Sequence, residues 1–112
     1  MRLLRRIEVC GQEYRVLEAL NDSPELEGNQ GVVDYSKAAI YIAAGYADTS
    51  KIDTLLHEII HTVLHATGMT PKLEKISDSL EEDIVSALTP ALRSALKSAG
   101  WREPKKITRG GK

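Results

Sequence analysis

The hydrophobic pattern of this chain changes its period near Ser50, and this change limits the possible folds more than any other feature. Before it, apolar and polar residues alternate over short segments such as "LLRRIEV" (3–9), "YRVLEAL" (14–20) and "AAIYIAA" (38–44). After it, apolar residues recur at the spacing of an α-helix. Strands followed by helices predict an α+β domain, with a small antiparallel or mixed sheet and helices packed on it.

Length and charge indicate an ordinary globular protein. A chain of 112 residues is one domain by size, so we predict a single domain over residues 1–112. A formal net charge of -1 gives no indication of nucleic-acid binding. No apolar run approaches the roughly 18 residues of a membrane span, and the N-terminal segment lacks the apolar region of a signal peptide. We therefore expect a cytoplasmic protein with no membrane or nucleic-acid partner and with an oligomeric state that the sequence does not indicate.

The single cysteine, Cys10, cannot form an internal disulfide and is expected to be a partly buried thiol.

The strand-like segments predict two hairpins. "CGQE" separates the first two segments, and "VVDY" precedes "AAIYIAA" to form the second pair. Between the pairs, "NDSPELEGNQG" (21–31) is rich in turn-forming residues and predicts a loop. The last strand is expected to carry Ile40 and Ile42 on one face, and Ala39, Tyr41 and Ala43 on the other. The small side chains of the second face indicate that another segment approaches it closely.

Two helices are predicted in the second half. The first spans about 51–67, with Ser50 as its N-cap and Gly68 in the left-handed position that ends a helix. The second spans about 77–98, and Pro90 is expected to kink or break it.

All three histidines lie on the first predicted helix, in "HEIIHTVLH" (57–65). Residues four apart share a helix face, so His57 and His61 can direct ring nitrogens at one point, as two ligands of a tetrahedral zinc ion. Glu58 is rotated by about 100° from His57, which places its carboxylate beside that point. Zinc lowers the pKa of water toward about 7, and a nearby carboxylate can take the proton and pass it to a leaving amine. This H-E-x-x-H pattern is typical of metallopeptidases, although solvated surface histidines are the alternative interpretation.

The geometry of a continuous helix opposes His65 as a ligand of the same ion as His57, because residues eight apart are separated by about 12 Å along the axis. It is either a rim residue that contacts the substrate or transition state, or a solvated histidine near the helix C-terminus, where the dipole favours its cation.

The third protein ligand must come from another element, and "LEEDIV" (80–85) offers Glu81, Glu82 and Asp83. If the apolar stripe of the second helix faces the first, Glu81 lies within about 40° of its centre and the other two point away. We therefore predict Glu81 as the third ligand. The alternative is that Glu81 lies at the margin of the stripe and reaches water, which would leave Glu82, Asp83 or His65 as the ligand.

The segments "TLLHEIIHTVLHATGM" and "LEEDIVSALTPALRSAL" together resemble the gluzincin metallopeptidases. Within them the chain looks most like the small ImmA/IrrE-type peptidases, the phage-encoded peptidases and the minigluzincins, over roughly residues 31 to 98. The resemblance implies a minimal zincin-like domain with an active-site helix and a glutamate helix. It also implies that His57, His61 and Glu81 bind one zinc ion and that Glu58 is the catalytic base.

The predicted function is that of a zinc peptidase that acts on a peptide or protein substrate, and we expect an endopeptidase. An extended substrate is expected to pair with the "AAIYIAA" strand and contact Tyr41 and Ala43, while His65 or a tyrosine steadies the oxyanion. The alternative is a zinc-stabilised binding or regulatory protein on the same scaffold, with little or no turnover. The basic segment 101–112 is expected to be a mobile tail, although the resemblance to latent minigluzincins also implies a tail folded over an acidic cleft.

Overall fold

The computed structural model describes residues 1–107 as an α+β domain in which a four-stranded sheet carries three helices. This confirms the predicted α+β class with a small mixed sheet. Among these residues, no helix combines the length and the apolar character that crossing a membrane requires. The strands are β1 (Arg2–Val9), β2 (Gln12–Ala19), β3 (Gly31–Asp34) and β4 (Ala39–Ala43), and the helices are α1 (Asp48–Ala66), α2 (Met69–Glu74) and α3 (Leu80–Ser98).

The sheet is mixed and has the strand order β1-β2-β4-β3. Both predicted hairpins are confirmed, because β1 pairs antiparallel with β2, and β3 pairs antiparallel with β4. The parallel pairing of β2 with β4 joins the hairpins into one sheet. As a result β4 is a central strand, and β3 is the edge strand beside it.

The turn of the first hairpin corrects the prediction for Cys10. Cys10 and Gly11 connect β1 to β2 with positive φ angles of 50° and 85°, as tight two-residue hairpin turns require. The turn projects beyond the paired strands, so the thiol is exposed and not partly buried.

The two faces of β4 are buried against different segments, as its alternating pattern predicts. Ile40 and Ile42 belong to a core that also contains Ile52 of α1. On the opposite face, Tyr41 and its alanine neighbours pack against Leu26, which is fully buried in a short 3-10 turn of the loop 21–31. The small side chains therefore allow a loop to lie directly on the sheet.

The first helix begins at Asp48, earlier than the predicted residue 51. Ala47 occupies the N-cap position without a side-chain hydrogen bond, so the prediction of Ser50 as the cap is wrong. An acidic residue in the first turn interacts favourably with the positive end of the helix dipole, and Asp48 occupies that turn. Gly68 follows the helix with a φ of 78°, in the left-handed conformation that was predicted.

The third helix is continuous from Leu80 to Ser98 although Pro90 lies inside it, so the predicted break does not occur. Pro90 lies on the exposed side of the helix. Val85 and Thr89 are almost completely buried and fix the turns that precede it. Tertiary packing of this face outweighs the local penalty of the proline.

The described part of the C-terminal segment, residues 101–107, has defined contacts. The carboxylate of Glu103 accepts hydrogen bonds from Arg93 Nε at 2.7 Å and Nη2 at 2.8 Å, while Nη1 of the same guanidinium donates to Asp53 at 3.1 Å. Ile107 is buried in the core that contains Ile52. The rest of the predicted tail, 108–112, lies outside the described residues.

Candidate metal centre

The helices and the edge strand β3 surround a cleft of about 640 Å³. None of residues 101–107 lines it, so the described part of the C-terminal segment does not cover it. Its walls are acidic, because no lysine or arginine of the described residues lines it and six carboxylates do. These are Glu27, Asp53, Glu58, Glu74, Glu81 and Glu82. Such a cleft favours a cation.

Two histidines and one glutamate converge at the bottom of this cleft. His57 Nε2 lies 2.8 Å from Oε1 of Glu82, and His61 Nε2 lies 2.9 Å from Oε2 of the same carboxylate. The possible ligand atoms of the three residues all lie within 4.8 Å of one another. The group could therefore hold a metal ion, and the spacing of the two histidines on α1 is the reason that their rings meet.

The donor set also fits zinc. Two imidazole nitrogens and one carboxylate oxygen are ligands that zinc commonly takes in proteins. Donor atoms of a tetrahedral zinc with bonds near 2.0–2.1 Å lie about 3.3 Å apart. The two nitrogen–oxygen separations, 2.8 and 2.9 Å, are a few tenths of an ångström shorter and involve different oxygens of Glu82, so side-chain adjustments would be needed to admit the ion.

The two neighbouring glutamates of α3, Glu81 and Glu82, contact different nitrogens of the His61 ring. Glu82 contacts Nε2, whereas Oε2 of Glu81 lies 2.6 Å from Nδ1. The other Glu81 oxygen, Oε1, accepts a hydrogen bond from Thr70 of α2 at 2.5 Å. The structure thus brings Glu82 to the Nε2 atoms and places Glu81, the predicted ligand, behind the ring.

The expectation that Glu82 points away from the site is wrong. Its side chain is 55% exposed, yet it reaches both histidines. Because α3 begins at Leu80, Glu82 lies in the first helical turn, where a long side chain can extend past the helix end. An angle measured on a helical wheel treats the side chain as radial and misses this reach. Asp83 is exposed and lies outside the three-residue group, as predicted.

The charges around His61 stabilise each other. Burial disfavours the charged imidazole, but hydrogen bonds with Glu81 and Glu82 outweigh it and raise the pKa of His61. Burial also opposes ionisation of Glu81, but hydrogen bonds with Thr70 and His61 outweigh it and lower the pKa of Glu81. The ring is therefore held between two carboxylates.

Glu58 lies on the buried side of the same helix and is 8% exposed. Burial raises the pKa of its carboxyl group, and the neighbouring imidazoles of His57 and His61 only partly offset the effect. A carboxylate with a raised pKa is a better proton acceptor near neutral pH. Gly31 of β3 leaves the space for this side chain, because a β-carbon there would lie 3.2 Å from Cγ of Glu58.

Tyr35 and His65 form a stacked pair beside the cleft. Their ring centroids are 3.8 Å apart and their planes differ by 13°. Tyr35 lines the cleft, and His65 is not among the lining residues. Burial and the negative charges of Glu81 and Glu58 raise the pKa of the Tyr35 phenol, so its hydroxyl remains protonated and can donate a hydrogen bond.

The predicted substrate contacts on β4 are not available. Tyr41 and Ala43 are 4% and 1% exposed, and β4 is paired on both edges. A peptide cannot add to a strand whose backbone groups are already used by two neighbours. The sequence pattern indicates both strands of the second hairpin but does not indicate which of them lies at the edge of the sheet.

The edge strand β3, and not β4, has backbone groups with which a peptide could pair. Ala43 donates its backbone N–H to the carbonyl of Gln30 at 2.8 Å, which makes these residues a hydrogen-bonded pair. Alternation along an antiparallel ladder then turns the backbone groups of Gly31 and Val33 toward the free edge. Both residues line the cleft.

Four residues of this site were not predicted from the sequence, and their contribution depends on tertiary structure. Gly31, Val33 and Tyr35 belong to or follow the edge strand, and Thr70 lies on the short helix α2. The glycine at the start of "GVVDY" was the one available signal, since a glycine in a strand often marks a close approach.

Comparison with known proteins gives no match: no family model, no curated protein and no solved structure is significantly similar to this chain.

Proposed function

We propose that this chain is a zinc-dependent peptidase with a zincin-like fold, in which His57, His61 and Glu82 hold one zinc ion. The observation that carries the proposal is the convergence of both Nε2 atoms on one carboxylate, next to the buried Glu58 and facing a free strand edge. The H-E-x-x-H spacing alone would leave surface histidines as an alternative. A third donor from another helix supports a metal centre.

The buried carboxylate of Glu58 has the position of a general base. When bound, zinc would act as a Lewis acid toward the scissile carbonyl and lower the pKa of water. Glu58 takes a proton from the water whose oxygen attacks the carbonyl carbon. As the C–N bond breaks, Glu58 returns this proton to the leaving nitrogen, so the products are a carboxylic acid and an amine, which ionise to carboxylate and ammonium near neutral pH.

An extended peptide is expected to add to the sheet as a strand beside β3. The free backbone groups of Gly31 and Val33 would hydrogen-bond with its main chain. This placement brings the scissile bond next to Glu58, because Gly31 lies directly against it, in the cleft that His57 and His61 also line. In this proposal the peptide pairs with β3, whereas the sequence predicted that it would pair with β4.

Tyr35 is the candidate for the residue that steadies the oxyanion. It lines the cleft and its hydroxyl remains protonated, whereas His65 lies behind its ring. A hydrogen bond to developing negative charge typically contributes more to the transition state than to the ground state. Tyr35→Phe should therefore lower kcat while zinc affinity stays at the parent value.

The test of this function is cleavage of a peptide mixture by the zinc-loaded protein, compared with Glu58→Gln. We expect the parent to cleave and Glu58→Gln to lose about 10²- to 10⁴-fold in rate, since that is the usual contribution of a general base. Zinc content measured by atomic emission should be the same in both proteins.

If both proteins bind zinc stoichiometrically and neither cleaves any peptide, the peptidase proposal is wrong. The zinc-stabilised binding protein then becomes the better interpretation.

A further inference from the structure

We propose that Glu81 and Thr70 form a positioning pair that fixes the His61 ring for metal binding. This inference rests on the proposed zinc centre and assigns a role to two residues outside its ligand set. Glu81 is not a ligand in this assignment. It acts through His61.

The contact between Glu81 and His61 selects which ring nitrogen faces the metal centre. Imidazole can present either nitrogen to a metal, and the hydrogen bond at the other nitrogen decides which one is free. Glu81 Oε2 lies 2.6 Å from Nδ1 of His61. An N–H at Nδ1 donates to that carboxylate, so Nε2, which lies 2.9 Å from Glu82, is the nitrogen that would give up its proton and supply a lone pair to zinc.

The Glu81 side chain is itself held by two contacts. It is 16% exposed, and its two oxygens have different partners. Oε2 accepts from His61, and Oε1 accepts from Thr70 Oγ1. A carboxylate held at both oxygens has little rotational freedom, so it can fix the orientation of the ring.

The short helix α2 supplies Thr70. This helix spans only Met69–Glu74, and Leu73 is its one buried residue. Leu73 anchors the helix in the domain, while Thr70 faces the cleft and contacts Glu81. The positioning pair therefore connects all three helices at the metal centre.

The two neighbouring glutamates thus have different partners although they are the same residue type. Glu82 reaches the Nε2 atoms of both histidines, and Glu81 reaches the Nδ1 atom of one. A hydrogen bond to the ring nitrogen that does not bind the metal keeps a ligating histidine in one tautomer and orientation. Loss of such a bond typically weakens metal affinity by about 10- to 100-fold.

Zinc affinity, measured by competition with a chromogenic chelator, tests the pair directly. We expect Glu81→Ala to bind zinc about 10- to 100-fold more weakly than the parent. Glu81→Gln should recover part of this loss, because an amide oxygen still accepts from Nδ1–H. Thr70→Val should lose less than Glu81→Ala, and Thr70→Ser, which keeps the hydroxyl, should match the parent.

A spectroscopic readout separates positioning from ligation. Long-range ¹H–¹⁵N correlation spectra of the zinc-loaded parent should show His61 bound through Nε2 with a proton on Nδ1. The same coordination should persist in Thr70→Val and in Glu81→Gln at saturating zinc. Coordination through Nδ1 in the parent would overturn the assignment.

The remaining outcomes also decide the question. If Glu81→Ala and Glu81→Gln both lose zinc as completely as Glu82→Ala does, Glu81 is a ligand and the positioning role is wrong. If the parent binds zinc and cleaves peptides but every variant at 81 and 70 matches it, the positioning pair fails and the proposed function stands. If the parent binds no zinc, both proposals fail.

Discussion

Gly31 of the edge strand lies directly against Glu58 of α1. A β-carbon at Gly31 would overlap Cγ2 of Thr54 and lie 3.2 Å from Cγ and 3.3 Å from Oε2 of Glu58. The backbone of Gly31 does not have a positive φ, so the missing side chain matters for space and not for backbone conformation. The position of the proposed base therefore depends on a glycine in another element.

Gly31→Ala should destabilise the protein and reduce peptide cleavage. Forcing a methyl group into this contact costs about 1–3 kcal/mol of unfolding free energy, and the displaced Glu58 is a poorer base. Urea denaturation and kcat/KM measure the two effects. Adding Thr54→Ser, which removes the overlapping Cγ2, should recover part of the stability, and parent-like values for Gly31→Ala alone would disprove the packing argument.

Glu82→Ala should weaken zinc binding by more than about 100-fold, because it removes the one anionic donor of the proposed centre. Asp83→Ala is the matched control, since Asp83 is the next acidic residue on the same helix, is exposed and lies outside the donor group. Isothermal titration of zinc into both variants gives the comparison. Equal affinities would show that Glu82 is not a ligand.

The ion pair between Glu103 and Arg93 should make stability depend on pH. Hydrogen bonds from Arg93 lower the pKa of Glu103 below its ordinary value of 4.5. A carboxyl group with a lowered pKa in the folded state stabilises the fold above its unfolded pKa, and that stability is lost as the pH falls through the folded pKa. Glu103→Gln should therefore lower the free energy of unfolding at pH 7, and the difference from the parent should shrink toward pH 3.

The control for this experiment is Glu8→Gln, which changes an exposed glutamate on β1. Urea denaturation at pH 7, 5 and 3 should show little effect of this control at any pH. A constant difference between the parent and Glu103→Gln across the range would contradict the assigned role of the ion pair.

The C-terminal segment contributes to the core through Ile107. Because this side chain is 4% exposed, Ile107→Ala should cost about 2–4 kcal/mol of unfolding free energy, as truncations of buried aliphatic residues do. Trp101 is larger but 69% exposed, so Trp101→Ala should change stability by less than about 0.5 kcal/mol. Neither residue lines the cleft, so zinc affinity should be unchanged in both. If Trp101→Ala is the more harmful variant, the packing described for this segment is wrong.

Much of the fold could be predicted because the local pattern and the tertiary structure agree. Alternation in β4 predicted both of its faces, including the close approach at Tyr41 that Leu26 provides. Gly68 ends the first helix as its residue type indicates. The spacing of His57 and His61 predicted a shared face, because that relationship depends on helix geometry alone.

The remaining errors arise where a long-range contact decides the outcome. Pro90 was expected to kink or break α3, but the helix is continuous through it, and Val85 and Thr89 are buried in the turns before it. The reach of Glu82 to both histidines depends on where α3 begins, and the contact of Glu81 with Thr70 depends on α2, which the pattern of α3 does not include. Strand order likewise determines which strand is the edge, and the sequence contains no direct signal of that order.

Zinc-edge anomalous diffraction from crystals of the zinc-loaded protein is the most direct test of the metal centre. We expect one strong peak, at about 2.0–2.2 Å from His57 Nε2, His61 Nε2 and a carboxylate oxygen of Glu82, with Glu81 still contacting Nδ1 of His61. A peak bonded to Glu81 in place of Glu82, a peak elsewhere on the surface, or no peak at full zinc loading would contradict this expectation.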